Sequence, residues 1–462
     1  MYVSTIAAAV LAHWGPLVSG ALVCYCIGSA IYNLWFSPLA AYPGPICARL
    51  SSLPDFYYYP TGDRHIWIAR NNQIYGDIVR HPNVKRSHFY DMMTGNKHDK
   101  NTLTGTDPAL HAQKRRPILV EHVVRWCELL GSDDDYNGDR DWSSPRKMSE
   151  VCDYLVLDVL CNLCFGRGVG TKEAGDNQFR QIPHTMALFL RISYPLGHSP
   201  WLGLLVWLKP RGLDWVLAAT AGPKIRFLYK FPQKASDKLG ILGRNEMLYH
   251  LLNATDPETG LPGYTPEALE AEALMLTVTG SDTTSVIMAG FFFYTVRTPQ
   301  VYCRLVNEIR ATFAASIDEI KDGQKLMSCQ YLRACVDEAM RIASAGSTEL
   351  PRTVRPGVII VDGNYIPEGT TVDVYRPERW IVDEATGVTS DDVAKARSSC
   401  LPFAAGPTSC AGKNFALLEL YTTIAMTLWK STWGRADPDT FQLFDSYISI
   451  RDGPVVQFKR RV

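Results

Sequence analysis

Apolar residues in this chain come in long blocks with helical spacing, and strict apolar–polar alternation is rare. The two best strand candidates are "IYGDIVR" (Ile74–Arg80) and "GVIIVDGNYIP" (Gly357–Pro367). The pattern therefore predicts a mainly α chain with small β-sheets. The first apolar block is N-terminal: no charged residue occurs from Pro16 to Phe36. About 20 apolar residues at ~1.5 Å each span a bilayer core, and Tyr32 and Trp35 stand where an interfacial aromatic belt falls. A cleaved signal peptide needs a basic stretch ahead of the run and a small-residue cleavage site, and neither is evident. The first Lys or Arg, Arg49, follows the run and places the remainder on the cytosolic side. Pro38, "YPGP" and Pro54 form a stiff hinge. The expected division is a membrane anchor over 1–37, a proline-rich hinge over 38–55 and one domain over 56–462, without repeats.

The longest amphipathic pattern starts at "YTPEALEAEALML". Thr265 can cap it, Pro266 suits the first turn, and Glu267, Glu270 and Glu272 complement the positive helix end. It runs to Arg297 and stops before Pro299, about 30 residues or ~45 Å of helix, enough to cross a domain. Its middle, "TGSDTTS" (Thr279–Ser285), puts an acid and several hydroxyls inside an apolar helix. Burying unpaired polar groups is costly, so this segment points to chemistry.

Composition narrows the reading. The chain has 462 residues, 46% of them apolar, so it can build a large core. Lys plus Arg and Asp plus Glu are both 47, giving no net charge and no basic footprint for nucleic acid. Twelve cysteines at irregular spacings read as free or ligated thiols in a reducing compartment.

One of them, Cys410, lies in "FAAGPTSCAGKNFALLEL" at the mouth of an apolar helix. The helix dipole and free N–H groups there can stabilise a thiolate, a soft ligand for iron. Gly406 and Gly412 leave room for a flat group to approach, and Phe403 can pack beneath it. This loop resembles the haem-binding loop of the cytochrome P-450 superfamily at Phe403, Gly406, Cys410 and Gly412. Other motifs follow in the family's order. Glu338 and Arg341 of "EAMR" resemble its Glu-x-x-Arg pair, and Arg379 of "RPERW" completes that ion network. Arg352 of "LPRTV", and His111 and Arg115 of "HAQKRR", match positions that contact haem propionates, with His111 where Trp is usual. "TGSDTT" resembles the oxygen-activation motif, with Asp282 and Thr283 as the acid–alcohol pair. The hinge resembles that of fungal microsomal members.

The resemblance spans nearly the whole chain and implies the P-450 fold, with haem b on the Cys410 thiolate. It implies a monooxygenase that inserts one atom of O₂ into a lipophilic small molecule, with NADPH electrons from a partner reductase. It also implies a single-pass endoplasmic-reticulum protein facing the cytosol, in fungal secondary metabolism. Two alternatives stand beside it: a haem-thiolate isomerase or peroxygenase without an electron donor, and an inactive truncated relative. Leu274, Met275, Val278 and the loop Ala345–Leu350 are the expected pocket walls.

The chain departs from the family at Thr408, where arginine or histidine normally binds a propionate. Threonine brings no charge, a loss of about 1–2 kcal/mol of anchoring. Segments are also missing near 80, 117, 374 and 435, and Pro117 is expected to cut its helix short. Three decoys carry no chemistry: "CNLC" (Cys161–Cys164) and "FFFY" (Phe291–Tyr294) read as core, and "FGRGVGTK" (Phe165–Lys172) as a turn.

Overall fold

The computed structural model describes residues 108–131, 142–166, 168–197, 201–230, 266–321, 323–346, 376–404, 412–436, 440–444 and 448–461. Shorter pieces are 23–25, 27–36, 84–86, 352–354 and the single residues 20, 46, 50, 199 and 410. For 84–86, 108–116, 266–275, 277–279 and 352–354 the backbone alone is described. Both strand candidates from the sequence, 74–80 and 357–367, lie outside these residues.

The helices in chain order are α1 (Pro108–Leu130), α2 (Met148–Phe165), α3 (Gln181–Gly197), α4 (Leu202–Leu208), α5 (Leu213–Thr220), α6 (Pro223–Tyr229), α7 (Pro266–Arg297), α8 (Pro299–Thr312), α9 (Gly323–Ser328), α10 (Gln330–Ile342), α11 (Ser390–Ser399) and α12 (Lys413–Lys430). The strands are β1 (Val84–Arg86), β2 (Arg146–Lys147), β3 (Arg352–Val354), β4 (Ser431–Arg435), β5 (Gln442–Phe444), β6 (Ile450–Asp452) and β7 (Val455–Arg460). Among the described residues they form three small antiparallel sheets, β1–β3, β2–β7–β4 and β5–β6.

α7 occupies the predicted position and is the axis of the structure: α2, α3, α8, α10, α12 and β4 all pack on it. Its C-terminal half buries Val286, Ile287, Met288, Phe291 and Phe292 in two adjoining apolar clusters. The Phe292 ring lies tilted against Trp433 of β4 at 4.5 Å and edge-to-face with Phe458 of β7 at 6.0 Å, which locks the central sheet to the helix. Cys161 and Cys164 of "CNLC" and the first two residues of "FFFY" are fully buried.

α1 corrects the expectation for Pro117: the helix continues through it for 13 more residues. Proline removes one backbone bond in the middle of the helix. Downstream, Leu119, Val123, Trp126 and Leu130 are fully buried, and packing on α2 and α12 outweighs that loss. Neighbouring elements also cap helix ends. The Glu308 carboxylate on α8 accepts from Tyr331 and Leu332 N–H at 2.8 Å each, satisfying the start of α10. Asp158 on α2 is fully buried and accepts from Thr171 N, Thr171 Oγ1 and Lys172 Nζ, which turns "FGRGVGTK" back onto the helix.

Gly290 marks where α7 touches α10. A Cβ there would overlap the Ala343 side chain and meet the Phe441 ring at 3.6 Å. On an exposed helix, Gly→Ala stabilises by up to ~1 kcal/mol. Gly290→Ala should instead destabilise by about 1–3 kcal/mol through overpacking, read as a lowered denaturation midpoint at unchanged m-value.

Candidate functional site

Glu338 is completely buried near the end of α10. Its carboxylate accepts from Arg341 Nε (3.0 Å) and Nη2 (2.9 Å), from the Arg376 backbone N–H (2.9 Å) and from Trp380 Nε1 (2.9 Å). Arg379 Nε lies 3.4 Å from Oε2 as an ion pair. The structure thus brings Glu338, Arg341 and Arg379 together. It adds two donors that the sequence reading missed, Arg376 N–H and Trp380, from the "YRPERW" turn. Trp380 could have been suspected, because it lies beside Arg379 and a buried indole N–H needs an acceptor.

That turn precedes α11 and the cysteine loop. Cys410 N–H donates to the Phe403 carbonyl at 2.9 Å, closing the loop, and Lys413 N–H reaches the Cys410 carbonyl at 3.4 Å. α12 begins at Lys413, so Cys410 stands three residues ahead of the first helical residue. Its thiol is exposed and free. A Cβ at Gly412 would stand 3.8 Å from the sulfur, so glycine keeps the thiol uncovered there. Phe403 is half-buried against the main core, with Lys413 Nζ 5.8 Å from its ring centre. Gly406 and Thr408 lie outside the described residues. His111 and Arg115 sit on α1 and Arg352 on β3, in each case with the backbone alone described. The same holds for the expected pocket residues Leu274, Met275 and Val278.

α12, the helix that follows Cys410, packs directly on α7, and the polar stretch of α7 faces several neighbours. Asp282 is buried, and burial pushes its carboxyl up to about 7. Thr283 is half-buried beside it. The next residue, Thr284, hydrogen-bonds Glu419 of α12, a fully buried carboxyl that desolvation lifts to about 8. Among the described residues, Glu419 Oε1 and the Thr422 and Thr423 hydroxyls have no hydrogen-bond partner. The sequence did offer a signal for Glu419: a lone acid in the apolar run "NFALLELYTTIAM". Gly280 has a packing role. A Cβ there would meet Leu160 Cδ1 of α2 at 2.8 Å, so it sets the close approach of those two helices.

Comparison with known proteins agrees with this layout. The family model "Cytochrome P-450" matches residues 101–433. The chain is 31% identical to cytochrome P-450 monooxygenase AKT7 of Alternaria alternata, over 94% of this chain and 95% of that protein. The chain belongs to the cytochrome P-450 family. It is also 29% identical to cytochrome P-450 monooxygenase poxM of Penicillium oxalicum, over 95% and 93% of the two chains. A solved cytochrome P-450 (CYP102L1) has the same fold at a TM-score of 0.56 and 17% identity, covering 84% and 88%. The alignment with AKT7 runs to 518 positions against 462 residues here, so that relative carries segments this chain lacks.

Members of this family bind haem through a cysteine thiolate. The residues here fit that group: Cys410 is a free, exposed soft donor before a helix N-terminus, with glycine rather than a side chain against its sulfur.

Two predictions follow from these buried carboxyls. Glu338→Ala removes the acceptor that Arg341, the Arg376 N–H and the Trp380 N–H share. It should cost about 3–5 kcal/mol and lower the haem content of purified protein, whereas Arg379→Ala, at a half-exposed side chain, should cost much less. Glu419 holds its proton in the folded state and releases it in the unfolded state between its ordinary value and about 8. Stability should therefore be fullest below that ordinary value and fall as pH rises, by up to ~1.4 kcal/mol per pH unit. Glu419→Gln should flatten this slope, with its thermal midpoint gaining on wild type from about pH 5 to about pH 8.

Proposed function

We propose that this protein is a haem-thiolate monooxygenase that inserts one oxygen atom from O₂ into a lipophilic small molecule. Electrons come from NADPH through a partner reductase. One observation carries the reading: in a chain of this family, the helix that follows the free Cys410 packs on the helix that carries Asp282 and Thr283. The monooxygenase names of the Alternaria and Penicillium relatives support it, and their fungal origin supports a place in secondary metabolism.

The haem, when bound, supplies O₂ activation, and a thiolate ligand favours O–O cleavage. Cys410 would be that ligand, with Phe403, Gly406 and Gly412 framing it. Arg115, Arg352 and His111 would hold the propionates. Thr283 would offer its hydroxyl as a hydrogen-bond donor at the oxygen site, and Asp282 would pass protons to it. A carboxyl that titrates near 7 suits this task, because it both takes up and releases protons at neutral pH. The Asp282–Thr283 pair argues against an isomerase or peroxygenase that needs no electron donor.

We also place the protein at the endoplasmic-reticulum membrane, anchored by its N-terminus and facing the cytosol. Among the described residues no helix is long and apolar enough to cross a membrane. Support comes from exposed apolar side chains: Tyr25 (73%), Trp35 and Phe36 near the N-terminus, and Trp201, Trp207 and Trp215 (75%) on and before α4 and α5. Arg211, which stacks at 4.3 Å on Trp207, adds the cationic neighbour common at lipid headgroups.

The test is the carbon monoxide difference spectrum of the reduced full-length protein expressed in a fungal host. A red-shifted, thiolate-type Soret band is expected, and Cys410→Ser should abolish it. Haem-loaded wild type without this band would overturn the reading in favour of an inactive relative, and turnover without NADPH or reductase would favour the isomerase or peroxygenase.

A further inference from the structure

On the outer side of the Glu338-bound turn lies a cavity of about 450 Å³, between residues 376–379, the turn 383–388 and the first half of α11. Three cations line it, Arg376, Arg379 and Lys395, against one acid, Asp392. Both walls are fixed. The inner wall hangs on Glu338 through Arg376 N–H and Trp380 Nε1 at 2.9 Å each. In the outer wall, Asp383 and Val388 exchange backbone hydrogen bonds at 3.1 and 3.2 Å. Gly387 takes the left-handed conformation (φ 72°) that closes this turn. A capping box then opens α11. Asp392 N–H donates to Thr389 Oγ1 at 3.2 Å, and Asp392 Oδ2 accepts from the Thr389 N–H at 3.0 Å and its hydroxyl at 2.7 Å.

The nearby acids are already engaged. Glu338 accepts four hydrogen bonds from other donors. Arg379 Nε stands off from it at 3.4 Å, enclosed and without a hydrogen bond among the described residues. The Arg379 side chain is nevertheless 38% exposed, and it borders the cavity. Asp392 is held to its cap, Asp383 Oδ1 accepts from Ala385 N–H, and Glu378 accepts from the Tyr331 hydroxyl at 2.9 Å. Among the described residues, neither the Arg376 nor the Lys395 side chain forms an ion pair. Three cations thus face one preformed concavity with a single, internally bonded acid among them. Guanidinium forks match phosphate oxygens two at a time, and an ammonium adds a point charge. The volume falls in the ~300–1,000 Å³ range of small-molecule sites, which leaves room for an organic group beside the anion. We propose that this cavity binds a phosphate monoester, its dianion held by Arg376, Arg379 and Lys395. Concavity favours a small molecule over the flatter contact of a partner protein. Because Arg379 also pairs with Glu338, the bound dianion braces the turn that leads through α11 to the Cys410 loop. The cavity is therefore an effector site outside the oxygen chemistry, and it does not depend on the monooxygenase reading.

The full-length, haem-loaded protein is titrated with glycerol 3-phosphate by isothermal calorimetry at constant ionic strength, with glycerol as the control. Its thermal midpoint is followed in parallel. The ester should bind and raise the midpoint, and glycerol should do neither. Arg376→Gln and Lys395→Gln, both at exposed residues, should each weaken binding by about tenfold or more and leave the Soret band unchanged. Thr386 is exposed and lines the cavity, so Thr386→Glu puts a carboxylate among the same cations. It should block binding with every cation still present, and it decides the matter if a glutamine variant does not fold. Folded wild type that takes up no ester overturns the site, and so does an affinity that all three variants leave unchanged. Weakened reductase affinity in the variants, with no ester bound by wild type, would make the cluster a protein contact and overturn it equally.

Discussion

The Glu338 carboxylate is the contact on which the haem side of this structure depends. It has no exposure to water, and an unpaired charge there would cost several kcal/mol. Its partners come from two places, Arg341 one turn along α10 and the Arg376–Trp380 turn. The polypeptide can satisfy the carboxylate only by bringing that turn against α10. The turn leads into α11, and α11 into the Cys410 loop, so one buried charge fixes where the cysteine arrives. Glu308 does a similar job at the other end of α10 by capping its first N–H groups.

A different economy holds on α7. Asp282 and Glu419 are buried with no cationic partner among the described residues, and burial raises both so that neutral acid is a substantial or dominant form at neutral pH. A chain selected for stability alone would place apolar residues at such sites. Keeping them protonatable next to Thr283 and Thr284 gives the helix centre groups that can hold and move protons, at the expense of stability at higher pH.

Relatives such as AKT7 carry segments that this chain lacks. The contacts that position the cysteine helix, α7 and the Glu338 network are all made by residues this chain retains. Pro117 shows why the centre tolerates change. A helix with four fully buried anchors downstream keeps its course although proline removes one of its hydrogen bonds.

Helical class, the length of α7, the cysteine loop and the Glu-x-x-Arg pair were legible in the sequence because each depends on local spacing: helical periodicity, caps and residues three or four apart on one face. The same locality made Pro117 misleading, since a local rule cannot weigh packing from other helices. It also left the pairing of β2 with β7, whose residues are hundreds of positions apart, out of reach. Trp380 and Arg376 on Glu338, Glu419 against Thr284 and Leu160 beneath Gly280 were decided only by the tertiary structure. Each joins residues distant along the chain, and burial, which sets both the cost of a polar group and its affinity for protons, exists only once the chain has folded around it.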